Sequence, residues 1–410
     1  NAIDGMVCDP DDPNPERRFK ALIGAINRRP ATSPDAIHWT PLGTEVIASS
    51  DESHLGYDPE KRMYMAMCKT SNEYGRAFAI ATSTDFEHWT PNRALFGADA
   101  EDQPMALEVI RARLANPNMM GLLFVEPDPA TGAPKGKIPT WRAEVYNIGV
   151  FAYEGLYIGL PSMYYPTGLT LPEANNTDGF HVIQLAMTRD LTTWTRLGGR
   201  KPFIETSGVE NGRIGVYDRV QILAANRPIV TDEELRIYYT ALKWRDNFYG
   251  RNKDGSPRDP ATLSDEDKAD IKDGWGAICM AVLRRDGFVS LRADGEGVFT
   301  TPPLLPQGGQ LYVNADASKG GIRVEVLADT DSALPGYTVA DSRLVAGDGV
   351  RQAVTWTAMN SLPKLVRFSD GKVGCYNEGM DPSAAAQPGG VPIRLRFHVT
   401  KADLYSFWVE

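Results

Sequence analysis

Cysteine is scarce in this sequence. Cys8, Cys68, Cys279 and Cys375 are scattered through 410 residues with no C-x-x-C pair. Two of them, Cys68 in MYMAMCK and Cys279 in AICMAV, sit in apolar strand-like runs and read as buried free thiols. The five histidines show no metal-ligand spacing, so neither a metal nor a cofactor is expected. No stretch approaches the roughly 20 apolar residues of a membrane span. A basic face is missing as well: the net charge is −10, spread without acidic runs. That balance excludes nucleic acid and anionic membrane as expected partners, since both demand a positive surface. Long amphipathic helices are absent, whereas Gly (38) and Pro (29) are plentiful, which favours an all-β, soluble globular chain. A chain of this length is expected to form two domains. It starts at Asn1 and not at Met, so an upstream segment is expected, and a removed signal would make the protein secreted or periplasmic.

What is present is an internal repeat. Ser33-Pro34-Asp35 precedes Trp39-Thr40, Ser83-Thr84-Asp85 precedes Trp89-Thr90, and Thr188-Arg189-Asp190 precedes Trp194-Thr195. Each reads [S/T]-x-D-x-x-x-W-T, with a degenerate copy at Arg285-Asp286-Gly287-Phe288. The Asp side chain can accept backbone N–H bonds about two residues on and so close a turn, after which the Trp opens a strand and packs between layers. A second pattern interleaves: strand, D-P turn, strand at Asp9-Pro10 and Asp58-Pro59, with a looser version from Val216-Tyr217-Asp218. Counted together these give about five units, 1–45, 46–95, 96–140, 141–200 and 201–290. A period near 50 residues with four short strands per unit predicts a five-bladed β-propeller over 1–290. The charged, apolar-poor stretch Arg245–Asp273 interrupts the fifth unit and is expected at the mouth of the funnel, with a short capped helix near Ser264. After residue 290 the period-2 alternation of GQLYVNADA, GGIRVEVLA and IRLRFHV predicts a β-sandwich over 291–410.

The stretch Trp141–Leu160, WRAEVYNIGVFAYEGLYIGL, is the most informative. Aromatic and β-branched residues around an E-G turn read as two paired strands. One carboxylate, Glu144, stands at the mouth of this apolar hairpin, where an unpaired charge would be costly. The bland reading is a salt bridge or a solvated strand end.

Five blades followed by a sandwich resembles the layout of glycoside hydrolase family 32, and the propeller alone resembles family 43. The resemblance implies three carboxylates at the starts of innermost strands. Asp4, in Ala2-Ile3-Asp4-Gly5-Met6-Val7, is similar to the first, in a motif whose Pro is missing here. Asp102, in Glu101-Asp102-Gln103-Pro104, is the nearest match to the second, an R-D-P aspartate, and lacks both the preceding Arg and the adjacent Pro. Glu144 resembles the third, an E-C-P or E-G-P glutamate before an apolar strand. By that resemblance Glu144 is the general acid, Asp4 the nucleophile or base, and Asp102 the group that orients sugar hydroxyls or tunes the acid. Such cleavage needs one protonated and one ionised carboxyl, and an apolar surround would raise the acid.

The bland alternatives are a loose terminus for Asp4 and a D-Q-P turn for Asp102. Trp141, Tyr164, Tyr165, Trp244 and Trp275 are candidate sugar-stacking residues, each also explicable as packing. Asp218, at the start of the last unit, could reach the funnel. The function expected is an exo-acting glycoside hydrolase with a carbohydrate substrate. The rival is a non-catalytic propeller that binds glycan or protein, in which the same repeats build only a scaffold. A sialidase-like propeller is weaker, since no Arg triad is evident.

Overall fold

A computed structural model describes the chain except for residues 1–2, 92–93, 120–121, 123, 133–137, 170–176, 209–216, 246–258, 329–330, 368–372 and 376–389. The chain is predominantly β and divides into two compact units. One is Asn1–Ile229 with Arg236–Val282, the other Val230–Leu235 with Leu283–Glu410.

The first unit is built from sheets that follow one another along the chain. β1 (Ile3–Cys8), β2 (Phe19–Ile23), β3 (Arg29–Ser33) and β4 (Thr40–Pro41) form one in that spatial order. β5 (Ser53–Asp58), β6 (Met63–Asn72), β7 (Gly75–Ser83) and β8 (Ala94–Gly97) form the next in the same way. The third contains β9 (Glu144–Tyr153), β10 (Leu156–Leu169), β11 (Thr177–Ile183), β12 (Ala186–Thr188) and β13 (Thr195–Arg196). β10 pairs with β9 along most of its length, with β12 at Tyr157–Gly159 and with β11 through its second half. The fourth has β14 (Gln221–Ala224), β15 (Ile229–Val230), β16 (Glu234–Leu242) and β17 (Gly276–Arg284), with β16 pairing the other three.

The stretch 96–140 departs from the expected unit. Its described residues form no sheet of their own; beyond the end of β8 they contain helix α1 (Asp102–Ala115). Asp102, Ala106, Ile110 and Arg113 are its buried residues, one helical stripe with two charged ends. That mixed stripe is why the apolar pattern did not announce a helix. Asp102 in the first turn and Pro104 just after it are helix-start residues, which the turn reading had absorbed.

The first strands of the sheets are neighbours: β1 lies against β5, β5 against β9, and β9 against β14. Their approach is close. A Cβ on Gly149 would stand 2.4 Å from the carbonyl oxygen of Ala225, so only glycine lets β9 reach the chain leaving β14. A core of Met65, Met67, Phe78, Val145, Ile148, Met163 and Val182 joins the second and third sheets and takes in Ala106 and Ile110 of α1.

The second unit holds an antiparallel sheet of β18 (Leu291–Thr300), β19 (Leu311–Leu327), β20 (Val345–Val354) and β23 (Arg394–Val409), in the order β18-β23-β19-β20. A separate hairpin pairs β21 (Leu365–Arg367) with β22 (Val373–Cys375). One face of the large sheet buries Val313, Val324, Leu395 and Phe397 with Tyr337, Trp356 and Leu365.

The repeated turns form as their residues dictate. Asp35 Oδ1 accepts the N–H groups of Ile37 and His38, each at 2.8 Å, and Asp190 Oδ1 those of Thr192 and Thr193, also at 2.8 Å. The residue after each Asp, Ala36, Phe86 or Leu191, has φ between 62° and 67°, and these bonds hold it there. Backbone N–H donors, His38 foremost for Asp35 and Thr193 for Asp190, hold both carboxyls below the usual range. A lowered carboxyl stabilises the fold above its unfolded pKa of about 4 and loses that effect as pH falls toward its folded value. Urea midpoints should therefore show Asp190→Ala less stable than wild type by its full deficit from about pH 5 to about pH 7. The deficit should shrink below about pH 4.

Candidate functional site

Glu144 is the first residue of β9, Asp4 the second of β1 and His54 the second of β5. Each thus stands at a strand start, on strands that neighbour one another.

Glu144 is 1 % exposed, and both its oxygens are engaged. Oε1 accepts from Arg142 Nε at 3.1 Å and Nη2 at 2.8 Å. Oε2 accepts from the Arg76 backbone N–H at 2.8 Å and Nη1 at 3.0 Å. Gly75, in the β6–β7 turn at φ +123°, makes room for this: a Cβ there would lie 2.6 Å from Oε2. The expected apolar surround is therefore corrected. The side chain that shares a face with Glu144 two residues earlier is Arg142, and the second guanidinium comes from a neighbouring sheet.

Register extends the site sideways. Tyr164 of β10 is paired with Glu144 on one side and with His181 of β11 on the other, so the three side chains share one face of the sheet. The His181 ring stacks on Tyr164 at 4.6 Å and meets Tyr146 edge-on at 4.8 Å. Lys69 Nζ lies 4.0 Å from the Tyr146 centroid, and the Arg245 guanidinium lies 5.0 Å from Tyr146 and 4.6 Å from Tyr164. Arg76 is 5.5 Å from both rings. Lys69 also bridges to Asp51 and Glu52 at 3.1 and 3.4 Å. Burial, and then the charges of Arg245, Arg76 and Lys69, drive the His181 pKa well below its ordinary value, which leaves a neutral imidazole. Arg245, which opens the inserted stretch, lies against the Tyr146 and Tyr164 rings. Residues 246–258 fall outside the described residues.

Asp4 lines a cavity of about 630 Å³ together with His54, Asn147, Asn226, Arg227 and Tyr239. Its Oδ2 takes the Ser53 N–H at 3.2 Å and an ion pair from the buried Arg28. Its Oδ1 has no partner among the described residues. His54 contacts the Asn226 side chain, and burial lowers its pKa.

Asp102 sits elsewhere in role. It is 3 % exposed, starts α1, accepts the Asp99 N–H at 3.0 Å and pairs with Arg196 at 3.2 Å and Arg200 at 2.9 Å. The adjacent Gln103 bonds both the N–H and the carbonyl of Ala143, which sets the helix start beside the start of β9. Asp102 and Glu144 are thus near in the fold, yet they share no partner, and the cavity holding Asp4 is lined by neither.

Among the aromatic candidates, Trp141 is buried and donates to the Glu126 carbonyl at 3.1 Å. Trp244 is buried, and Trp275, half exposed, donates to its carbonyl at 2.8 Å. Burial removes Trp141, Trp244 and Tyr164 as open stacking faces. Tyr164 lies in the Glu144 row, with its hydroxyl donating to the Thr177 carbonyl at 2.7 Å. Asp218 accepts the Tyr239 hydroxyl at 2.9 Å and so ties the entry to β14 onto β16. Sequence reasoning missed Arg76, Lys69, His54 and His181. A lone His in GFHVIQLA carries no motif, and only strand register relates it to Glu144.

No family model matches the chain, and no curated protein matches it. Among solved structures it aligns with a beta-1,2-mannobiose phosphorylase from Listeria innocua at 17% identity and TM-score 0.32, covering 70% of this chain and 63% of that one. It also aligns with a GH32 beta-fructofuranosidase from Bombyx mori at 9% identity and TM-score 0.32, covering 98% and 75%. A third alignment is with a sucrose-6-phosphate hydrolase from Lactobacillus gasseri, at 12% identity and TM-score 0.29, covering 97% and 90%. The chain thus spans less than two thirds of the first of these. At such TM-scores no activity is transferred from them.

The Asp102 reading has its own consequence. Asp102→Ala strands the buried guanidinium of Arg196, so chemical denaturation should show a loss of about 3–5 kcal/mol. A loss below about 1 kcal/mol, the range of exposed pairs, would return Asp102 to the list of possible reacting groups.

Proposed function

We propose that the first unit cleaves glycosidic bonds at the end of a propeller-type ring of first strands, with α1 standing where a sheet was expected and the second unit acting as support. The substrate is a carbohydrate, attacked from a chain end. The observation that carries this reading is the buried carboxylate of Glu144. It opens an inner strand on the same sheet face as Tyr164 and His181, while a second carboxylate, Asp4, opens the first strand of another sheet and lines a cavity. Aromatic faces and polar tips around a carboxylate suit sugar binding.

The contacts favour a division of labour opposite to the one the family resemblance implies. Both oxygens of Glu144 take charged or backbone donors, which suits an ionised group that attacks the anomeric carbon or activates water. Asp4 is paired with Arg28 through Oδ2, but its Oδ1 has no partner among the described residues, and that oxygen is assigned the proton for the leaving group. Asp102 stays with its arginines as a structural group.

The non-catalytic glycan binder remains the second reading, because arginines neutralise all three carboxylates. Paired kinetics separate the readings. Glu144→Gln should lower kcat by about 10²–10⁴-fold on natural glycosides and on an activated aryl glycoside alike. Asp4→Asn should hurt natural glycosides far more, since an activated leaving group needs little protonation. Circular dichroism confirms that each variant is folded. The opposite pattern would restore Glu144 as the acid, and full turnover by both variants, or none by wild type on a broad glycan panel, would overturn the enzyme reading.

A further inference from the structure

His181 is fully buried, and neither ring nitrogen has a hydrogen-bond partner among the described residues. A buried polar atom left unpaired costs free energy, and native chains leave few of them. Two such atoms on one ring, in the same row as the proposed reacting carboxylate, therefore call for an explanation. The ring does not move freely to find partners. It is clamped flat on Tyr164 and edge-on to Tyr146, and its backbone N–H is fixed to the Val220 carbonyl at 2.8 Å.

We infer that His181 is a substrate-binding residue that contacts one hydroxyl of the sugar held at Glu144. The inference rests on the glycosidic reading above and deepens it. Three properties support it. A neutral imidazole offers one N–H donor and one lone-pair acceptor, which matches a hydroxyl, itself both donor and acceptor. Burial, together with the charges of Arg245, Arg76 and Lys69, keeps the ring neutral, so it does not compete with them for an anion. Glu144 and His181 stand two strand spacings apart across β10, about 9–10 Å between backbones. Tyr164 stands between them on the same face and stacks on His181, so all three belong to one row. Ser162 Oγ, two residues before Tyr164 on β10, is a further buried polar atom with no partner among the described residues.

The test uses the full chain. Calorimetry on a Glu144→Gln background measures binding of the best glycan from the panel and of its singly deoxygenated analogues. Substituting His181→Phe removes both nitrogens and keeps a flat ring, while His181→Asn retains a donor and an acceptor. His181→Phe should weaken binding of the parent glycan by about 10- to 100-fold. One deoxy analogue should bind the His181→Phe and histidine-bearing proteins equally, and His181→Asn should recover part of the loss. Imidazole nitrogen resonances of His181 should shift on adding the glycan. If His181→Phe binds every glycan as tightly as the histidine protein does, the ring serves a buried water only and the inference falls alone. Should the histidine-bearing protein bind no glycan at all, the inference falls together with the reading beneath it. Thermal midpoints identify a variant that fails to fold, in which case the deoxy series and the imidazole shifts of the histidine protein decide the matter.

Discussion

The two guanidiniums on Glu144 are the interaction on which the site depends. A carboxylate at 1 % exposure survives only when its lone pairs are filled, and here four donors from Arg142 and Arg76 fill them. Arg142 belongs to the entry of β9, while Arg76 stands at the start of β7 in another sheet. The same pairing therefore neutralises the charge and pins two sheets together at one end. Gly75 is the geometric condition for it, since any side chain in that turn would occupy the space of Oε2.

From that point the rest of the end layer follows. Arg76, drawn in by Glu144, brings its positive charge against the rings of Tyr146 and Tyr164, where Lys69 and Arg245 also lie. Aromatic faces carry negative quadrupole density, so they tolerate cations that would otherwise repel one another. Asp51 and Glu52 balance Lys69 from the more exposed side. Charge is thus layered around two tyrosines, and His181 is kept neutral by its place among them.

How much of this could be read from sequence depends on the range of the interactions. The [S/T]-x-D turns were legible because every bond in them closes within three residues. Glu144 was legible because an isolated acid before an apolar hairpin is itself a local anomaly. Arg142 was equally visible two residues earlier, but nothing local showed that it would turn onto Glu144 and not toward solvent. Arg76 and His181 were illegible, since their relation to Glu144 exists only after strand register is set. Helix α1 was missed for a different reason. Its buried stripe has charged residues at both ends, and those charges are satisfied by Arg196, Arg200, Thr206 and the Arg219 carbonyl, all distant in sequence.

Stability alone is a poor explanation for so polar an end layer. Buried ion pairs at best roughly repay their desolvation, and well-packed apolar residues of similar volume often do better. The remainder of the first unit shows that this chain can build such packing, as in the core of Met65, Phe78, Ile148 and Val182. Buried polar atoms with no partner among the described residues, at His181 and Ser162, lower stability further. Glu144, Asp4 and His54 stand at strand starts, whereas His181 and Ser162 lie within β11 and β10. A scaffold gains nothing from such costs, and the glycosidic reading proposed above gives them a use.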